Sequence, residues 1–364
     1  AQGSTGRDGN AGFNIRGLDG NRVLLLTDGI RMPRSYVFSA NAFGRDYFDI
    51  GLVERIEVIK GPASALYGSD GLAGLVNFVT REPASFLAEG RRFGGSANIG
   101  YSGDDNGVRG GVTLAGKAND TLQWLVSAQA GRASELENMG RLDVPNVDRT
   151  TPNPQRDNQR ALLAKATLPP GAGQRHASTL EHVEKTTRYD LLSGLGKPPY
   201  GPSSVVGLDA KTDMERDRFT YEGRMRLDTP VADDLLAVLS YQKAGSREFI
   251  REDRFTAADR TRDVTYDENT WQLGLQAGKT LRMGDWAQKV TYGLDYTRTN
   301  VENLQTGLVP PTGESYPLKR FPDTRETSSA FYLQDEFIHD RWSITPGIRF
   351  DRFSLDAKQA GFNA

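Results

Sequence analysis

The feature that most limits the fold is a period-two alternation of apolar and polar side chains. From Phe93 onward it recurs in segments of roughly ten residues, the length of a strand that crosses a bilayer. One segment sets Val290, Tyr292, Leu294 and Tyr296 against Thr291, Asp295 and Thr297. A period of two is that of a β-strand, whose successive side chains point to opposite faces. The pattern therefore predicts a sheet with one apolar face and one charged, wet face.

The breaks between these segments come alternately short and long. The short ones are residues 119–121, 171–175, 230–234, 283–285 and 340–341, and the long ones are 135–159, 192–217, 251–263 and 304–325. Outer-membrane barrels have short turns at one end and long loops at the other. We predict an all-β antiparallel membrane barrel with about eleven strands in this chain. A soluble β-sandwich binding module or an adhesin remains the alternative, because a soluble antiparallel sheet has the same period.

Composition excludes several other classes of protein. Among 364 residues no apolar run approaches the length of about 18 that a transmembrane helix needs, and the mean hydropathy is −0.54. The net charge of −2 carries no nucleic-acid footprint. With no cysteine there are neither disulfides nor thiolate metal sites.

The N-terminal part has a different texture. Strands at residues 55–59 and 75–80 bracket a turn rich in small residues, which opens at Gly61-Pro62 with a helical turn expected through residues 63–67. Glycines at 68, 71 and 74 allow tight backbone returns. We predict a compact α+β domain at residues 1–88, followed by the barrel at residues 89–364.

Two stretches of this domain carry a family resemblance. RIEVIKGPASALYGSDGLAGLVNFVT, residues 55–80, resembles the end of the plug domain of TonB-dependent outer-membrane receptors, and NIRGLDGNRVLLLTDGIR, residues 14–31, resembles an earlier plug strand of that family. The matching positions are Arg16, Gly17, Asp28, Gly29, Arg55, Glu57, Gly61, Pro62, Tyr67, Gly68 and Gly74. The resemblance implies the C-terminal part of a plug inside the first half of a barrel of about 22 strands.

The N-terminal sequence is informative about export. The first residues, AQGSTGRDGNAGFNIRG, have neither the basic start nor the apolar core of a signal peptide. We therefore expect this sequence to be a piece of a longer, exported chain.

The sequences of three segments most resemble the haem/haemoglobin branch of the family: DGIRMPRSYVFSANAFGRDYFD, FPDTRETSSAFYLQDEF and TPGIRFDRF. This implies haem as the imported ligand, with no intrinsic cofactor. The resemblance makes residues 32–49 an apical loop that faces the ligand, although a loop whose aromatics only fill gaps is equally open. The candidate binding residues are Arg34, Tyr36, Phe38, Phe43, Arg45 and Tyr47.

Within that loop, Tyr36 is the first candidate for a haem-iron ligand and Tyr47 the second, since tyrosine is an axial ligand in some haem proteins. In this branch the plug ligand is frequently a histidine, and this plug has none. A ferric siderophore receptor of the same fold is the alternative. The barrel-side ligand would lie beyond Ala364.

The resemblance also implies the partners and the location. These are the bacterial outer membrane and its lipid, a haem protein as donor, and an inner-membrane TonB complex that pulls on a segment upstream of Ala1. We expect the plug's polar residues, Glu54, Glu57, Lys60, Arg81 and Glu82, to form hydrated and individually weak ion pairs with lumen residues such as Arg224 and Arg226.

No arrangement of residues indicates catalysis. His176 and His182 lie about 20 Å apart along one strand, too far for one metal ion, and His339 adjoins a short turn. We interpret all three as surface histidines with ordinary partners. We predict that the protein is not an enzyme.

Overall fold

A small sheet packs inside the curve of a large one. The computed structural model describes residues 13–18, 20–38, 41–43, 47–61, 68, 71–171, 173–284 and 286–358. The N-terminal strands are β1 (Val23–Thr27), β2 (Ile30–Arg31), β3 (Tyr36–Phe38), β4 (Asn41–Phe43), β5 (Val53–Lys60) and β6 (Gly74–Thr80). Short 3-10 helices cover Gly20–Arg22, Ile50–Leu52, Pro83–Phe86 and Leu192–Gly194.

Four of these strands form the plug sheet, in the order β2-β1-β6-β5. Strands β1 and β6 are parallel and central, and every residue of VLLLT in β1 is buried, as is usual for a strand covered on both faces. Val23, Leu25, Val76 and Phe78 form one core with wall residues such as Met214. The plug core is thus completed by the wall. The helical turn predicted at residues 63–67 lies outside the described residues.

The wall is an antiparallel sheet in which each strand pairs with the next. Its strands are β7 (Phe93–Ser102), β8 (Gly107–Asn119), β9 (Leu122–Ser134), β10 (Gln155–Gly171), β11 (Gln174–Asp190), β12 (Val205–Arg226), β13 (Asp234–Arg254), β14 (Arg260–Met283), β15 (Trp286–Leu308), β16 (Asp323–His339), β17 (Trp342–Ile344) and β18 (Gly347–Lys358). Strands β17 and β18 both pair with β16 and are separated at Pro346, which lacks a backbone donor. Strands β17 and β18 therefore occupy one strand position in the sheet, so the wall has eleven positions among the described residues and the expectation of about eleven strands is confirmed.

The two faces of the wall differ as the alternation predicts. Apolar side chains on the outward face are exposed, among them Leu180, Phe219, Leu239, Leu273 and Leu294. The neighbouring inward positions are buried and polar, among them Thr179, Thr220, Ser240, Thr270 and Thr299. An apolar exterior around a polar interior is the pattern of a transmembrane β-barrel and the reverse of a soluble sandwich core. The predicted fold class, an all-β barrel wall with a plug inside, is confirmed.

The strands are longer than predicted at the end with the long loops. Strands β12 to β15 have 22, 21, 24 and 23 residues, where segments of roughly ten were expected. The predicted long breaks shrink to residues 191–204, 255–259 and 309–322, and only the break at 135–154 keeps its predicted scale. Hydrogen-bonded pairing continues past the apolar band because it needs only a neighbouring strand. The outward face there becomes charged instead.

Among the described residues, no helix is both long and apolar enough to cross a membrane.

Candidate functional site: the plug–wall interface

A buried group of charges ties the plug to the wall at the β1–β2 turn. Asp28 occupies this turn at a positive φ of 51°, and its carboxylate accepts hydrogen bonds from the Thr80 N–H and the Thr80 hydroxyl, both at 2.8 Å. Arg218 of β12 donates to the Thr27 carbonyl at 2.6 Å and to Asp28 at 3.2 Å. Arg218 also donates to Glu181 of β11 at 2.6 Å, and both side chains are almost fully buried. Arg216 donates to the same Glu181.

The group continues along the wall from the end of β6. Lys165 of β10, whose side chain is 3% exposed, donates to the Thr80 hydroxyl at 2.8 Å and to Glu82 at 2.9 Å. Arg175 of β11 bridges Glu82 at 2.9 Å and Glu222 at 2.7 Å. We call these residues the ionic network: Asp28, Thr80, Glu82, Lys165, Arg175, Glu181, Arg216, Arg218 and Glu222. It connects two plug segments to three consecutive wall strands.

The network keeps Asp28 ionised. Burial by itself raises the pKa of this carboxyl, but the nearby charges of Lys165 and Arg218 and the hydrogen bonds from Thr80 outweigh it, so the pKa lies below its usual value. Asp28 therefore carries a negative charge at neutral pH. The charge is matched by Arg218, whose side chain is almost fully buried.

The prediction that plug residues pair with charged lumen residues is confirmed for Glu82, which pairs with Lys165 and Arg175, but it is wrong for Arg224 and Arg226. Arg224 pairs with Glu222 of its own strand, and Arg226 pairs with Asp228 in the following turn. Glu57 pairs with Arg55 within β5, while Glu54 accepts from Glu82 N–H and Ser85. The position of the plug explains the difference. It contacts β10 to β12 above the short turns, whereas Arg224 and Arg226 lie at the end of β12, next to a short turn. The expectation of hydrated, weak pairs also fails for Lys165 and Arg218, which are buried.

Sequence reasoning missed Lys165, Glu181 and Arg218. Each lies at an inward-facing position of its strand, with Leu163 and Thr167 beside Lys165, Thr179 and Val183 beside Glu181, and Arg216 and Thr220 beside Arg218. The alternation of inward and outward positions was the available signal. It shows which charges are inward but not which of them touch the plug.

At the long-loop end the plug is tied to the wall by different residues. The Arg34 N–H donates to Glu268 at 3.4 Å, and its guanidinium pairs with Glu326. The Arg31 N–H donates to Gln272 at 3.2 Å, and its carbonyl accepts from Gln242 at 3.3 Å. These contacts place the start of the predicted apical loop against β13, β14 and β16.

Tyr47 does not face the ligand side. Its side chain is 2% exposed, and its hydroxyl lies 2.5 Å from the Ser246 hydroxyl of β13. Burial raises the pKa of this phenol, which disfavours the phenolate that binds iron. The exposure expected for Tyr47 was therefore wrong, because the loop folds back onto the wall at this residue.

The other predicted residues fall at turns and in a short hairpin. Tyr36 and Phe38 lie in β3 and Phe43 in β4, with Tyr36 paired to Phe43 across the hairpin. Arg45, Pro62 and Tyr67 lie outside the described residues. Of the remaining plug motif residues, Arg55 and Glu57 lie within β5, and the others are all at positive φ: Arg16, Gly17, Asp28, Gly29, Gly61, Gly68 and Gly74.

Two cavities lie between the plug and the wall, the upper one along β14, β15, β16 and β18 and the lower one from β10 to β16 and along β18. The upper cavity, nearer the long loops, has a volume of about 440 Å³ and is lined by residues that include Arg31, Arg34, Glu268, Glu326 and Asp351. The lower cavity, nearer the short turns, has a volume of about 730 Å³ and is lined by residues that include Asp28, Arg55, Lys165, Asp295 and Arg349. Neither cavity is enclosed.

The histidines on the outward face have polar partners. His176 lies 2.8 Å from the Tyr221 hydroxyl, and His182 lies 2.8 Å from an Asp217 oxygen. His339 stacks on Trp286 beside the short turn. In the described part of the chain, His182, Glu215 and Asp217 are the residues whose ligand atoms come close enough for one metal ion, within 4.8 Å of one another.

A polar-lined wall with an apolar exterior and a folded domain fixed inside it defines a plugged outer-membrane-type barrel. Two family models match the chain: the TonB-dependent receptor plug domain at residues 1–75 and the TonB-dependent receptor-like β-barrel at residues 64–364. The chain belongs to the TonB-dependent receptor family. These matches overlap at residues 64–75, and the domain boundary at residue 88 stays a prediction.

The relatives of this chain are named for binding different proteins. Transferrin-binding protein A of Neisseria meningitidis serogroup B is 32% identical over 95% of this chain and 37% of its own length. Hemoglobin-haptoglobin-binding protein A of Haemophilus influenzae is 27% identical over 65% of this chain and 24% of its own. The chain thus spans well under half the length of these relatives.

Among solved structures, the Serratia marcescens hemophore receptor HasR superposes with a TM-score of 0.68 at 19% identity, covering 94% of this chain and 46% of that one. The ferric citrate transporter FecA gives a TM-score of 0.62 at 17% identity, covering 92% and 48%. Both likenesses concern the fold. The family is one of receptors and transporters, so the prediction that the protein is not an enzyme is confirmed, and the soluble sandwich alternative is set aside.

Proposed function

We propose that the protein is an outer-membrane transporter that imports haem, energised through TonB. The observation that carries the transport part is the plug seated in a polar lumen by the ionic network. A lumen of this width would leak unless it were filled. A plug held by several hydrogen bonds to charged groups, each contributing about 1.5–3 kcal/mol, needs external work to move.

The long-loop end is the extracellular side in this proposal, and the short turns are periplasmic. Cargo then meets the β3–β4 hairpin and the upper cavity first. The TonB complex acts from the opposite side, where the ionic network lies.

Haem is favoured as cargo by two features. Tyr36 lies in the β3–β4 hairpin, two residues after Arg34, which contacts Glu268 and Glu326 of the wall, and tyrosine is an established haem ligand. Two relatives at 27% identity are named for binding haemoglobin and its haptoglobin complex. Since Tyr47 is buried against Ser246, Tyr36 is the iron ligand of the plug in this proposal.

A second candidate is iron taken from transferrin. Three relatives named for transferrin binding align over 95% of this chain, a larger share than the 65–66% of the haemoglobin-binding ones. A ferric siderophore is a third candidate and rests on likeness of fold alone.

Haem titration of the complete gene product in detergent tests the proposal. We expect a saturable Soret shift that is weakened in Tyr36→Phe and unchanged in the matched control Tyr47→Phe. A shift of equal size in both variants would remove Tyr36 as the ligand. No haem binding, together with binding of iron-loaded transferrin, would reject haem in favour of the second candidate.

A further inference from the structure

The plug is not fastened evenly around the wall. On the side of β10, β11 and β12 the ionic network joins charged side chains of plug and wall directly, through Asp28 and Glu82. On the side of β14 to β18 the upper cavity lies between plug and wall, and the contacts come from the backbone of Arg31 and from Arg34. The lower cavity extends from this side as far as β10, where Lys165 lines it. The ionic network and the upper cavity therefore lie on different sides of the plug.

The two cavities adjoin each other at one level along the wall strands, since they share lining residues. Arg31 of the plug, Thr297 of β15 and Ser328 of β16 line both of them. On β18 the division falls between two consecutive inward-facing residues, with Asp351 lining the upper cavity and Arg349 the lower. Among the described residues, a layer of side chains at this height lies between the upper space and the lower one.

Arg349 is the largest side chain of that layer on the wall. Its guanidinium donates to Asp295 of β15 at 2.9 Å and to Asp351 at 3.0 Å, and it lies 5.5 Å from the centre of the Tyr332 ring. The side chain is 7% exposed although it lies between two open cavities. Three contacts from three strands therefore hold it across the gap.

The plug contributes the opposite side of the layer. A Cβ on Gly68, at φ 78°, would lie 3.3 Å from Arg31 Nη2 and 3.6 Å from both Nε and Nη2 of Arg349. The two guanidinium groups thus converge on Gly68 of the plug. Glycine leaves room there for both of them.

We infer that the cargo route passes the plug along β14, β15, β16 and β18, and that Arg349, with Arg31 of the plug, closes it between the two cavities. Calling this a route rests on the proposed transport function. The closure itself is independent of the cargo. When the ionic network is released and the plug moves, Gly68 and Arg31 separate from Arg349. The upper and lower cavities then become continuous.

Passive ion leak tests the closure without any cargo or energy source. The complete gene product, purified and inserted in planar bilayers, is expected to conduct several-fold more in Arg349→Ala than in the wild type. Arg349→Lys, which keeps length and charge, should stay near the wild type. The matched control is Arg298→Ala, an arginine of β15 on the outward face, which should also stay near the wild type.

Unchanged leak in Arg349→Ala, with electrophoretic heat-modifiability showing a folded barrel, would overturn the inference, and so would equal leak in Arg298→Ala. Should Arg349→Ala fail to fold, Arg31→Ala decides by the same measurement, since the Arg31 contacts to Gln272 and Gln242 are made by its backbone. Haem titration is read separately. A negative leak result leaves the proposed cargo standing, and absent haem binding leaves the closure standing.

Discussion

Replacing Asp28 by Asn tests whether the ionic network holds the plug in place. The amide keeps the size of the side chain and an acceptor for the Thr80 N–H, but it removes the charge that faces Arg218 at 3.2 Å. A hydrogen bond to a charged group contributes about 1.5–3 kcal/mol. In this variant Arg218 keeps its hydrogen bonds to Glu181 and to the Thr27 carbonyl, both at 2.6 Å. The larger loss of stability that results when a buried charge is left without any partner therefore does not apply.

We therefore expect Asp28→Asn to lower the free energy of local opening around β1 and β6 by about 2–3 kcal/mol. Since each 1.4 kcal/mol is a factor of ten, amide hydrogen exchange in peptides of β1 and β6 should accelerate by about 30- to 140-fold. Mass spectrometry of the purified complete gene product measures this directly. Peptides of the outer wall serve as an internal reference.

Asp228→Asn is the matched control. Asp228 also occupies a turn at positive φ, but its pair with Arg226 is 3.4 Å long and both side chains are largely exposed. Exposed pairs contribute little, so exchange in β1 and β6 should not change. A rise of less than about threefold in Asp28→Asn, below 0.7 kcal/mol, would refute the view that the network fastens the plug.

Two further outcomes are expected. The pKa of Asp28 is lowered in the folded protein, so the stability that its carboxylate contributes is present above its ordinary pKa and is lost as pH falls through the lowered value. The difference in amide-exchange rate between wild type and Asp28→Asn should therefore shrink from pH 5 downward. A difference that stays constant with pH would contradict this. Gly74→Ala should loosen the β5–β6 pair by at least about 2 kcal/mol, seen as faster exchange there, because its Cβ would lie 2.1 Å from the Ile59 carbonyl oxygen at φ 139°. Gly90→Ala, at φ 76° in open space, is the control and should leave that exchange unaltered.

The sequence by itself determined the class of fold. Period-two alternation assigned faces correctly in β15, with Leu294 and Tyr296 exposed and Asp295 and Thr297 facing the lower cavity, because register on a one-sided apolar wall is set by which residues can meet lipid. The plug motif was equally readable, since positions such as Gly68 and Gly74 need a backbone conformation that glycine adopts without strain. Strand length was not readable beyond the apolar band, where pairing continues without a hydrophobic signal.

Only the tertiary structure decided which charges meet. Lys165 and Arg224 are both inward-facing cations, but the plug touches the first and leaves the second to its own strand. Likewise Tyr36 and Tyr47 are alike in the sequence, and only packing against Ser246 places Tyr47 in the interior. The reason is physical: alternation fixes the face of a residue, whereas its partner depends on the height and rotation at which the plug sits in the wall.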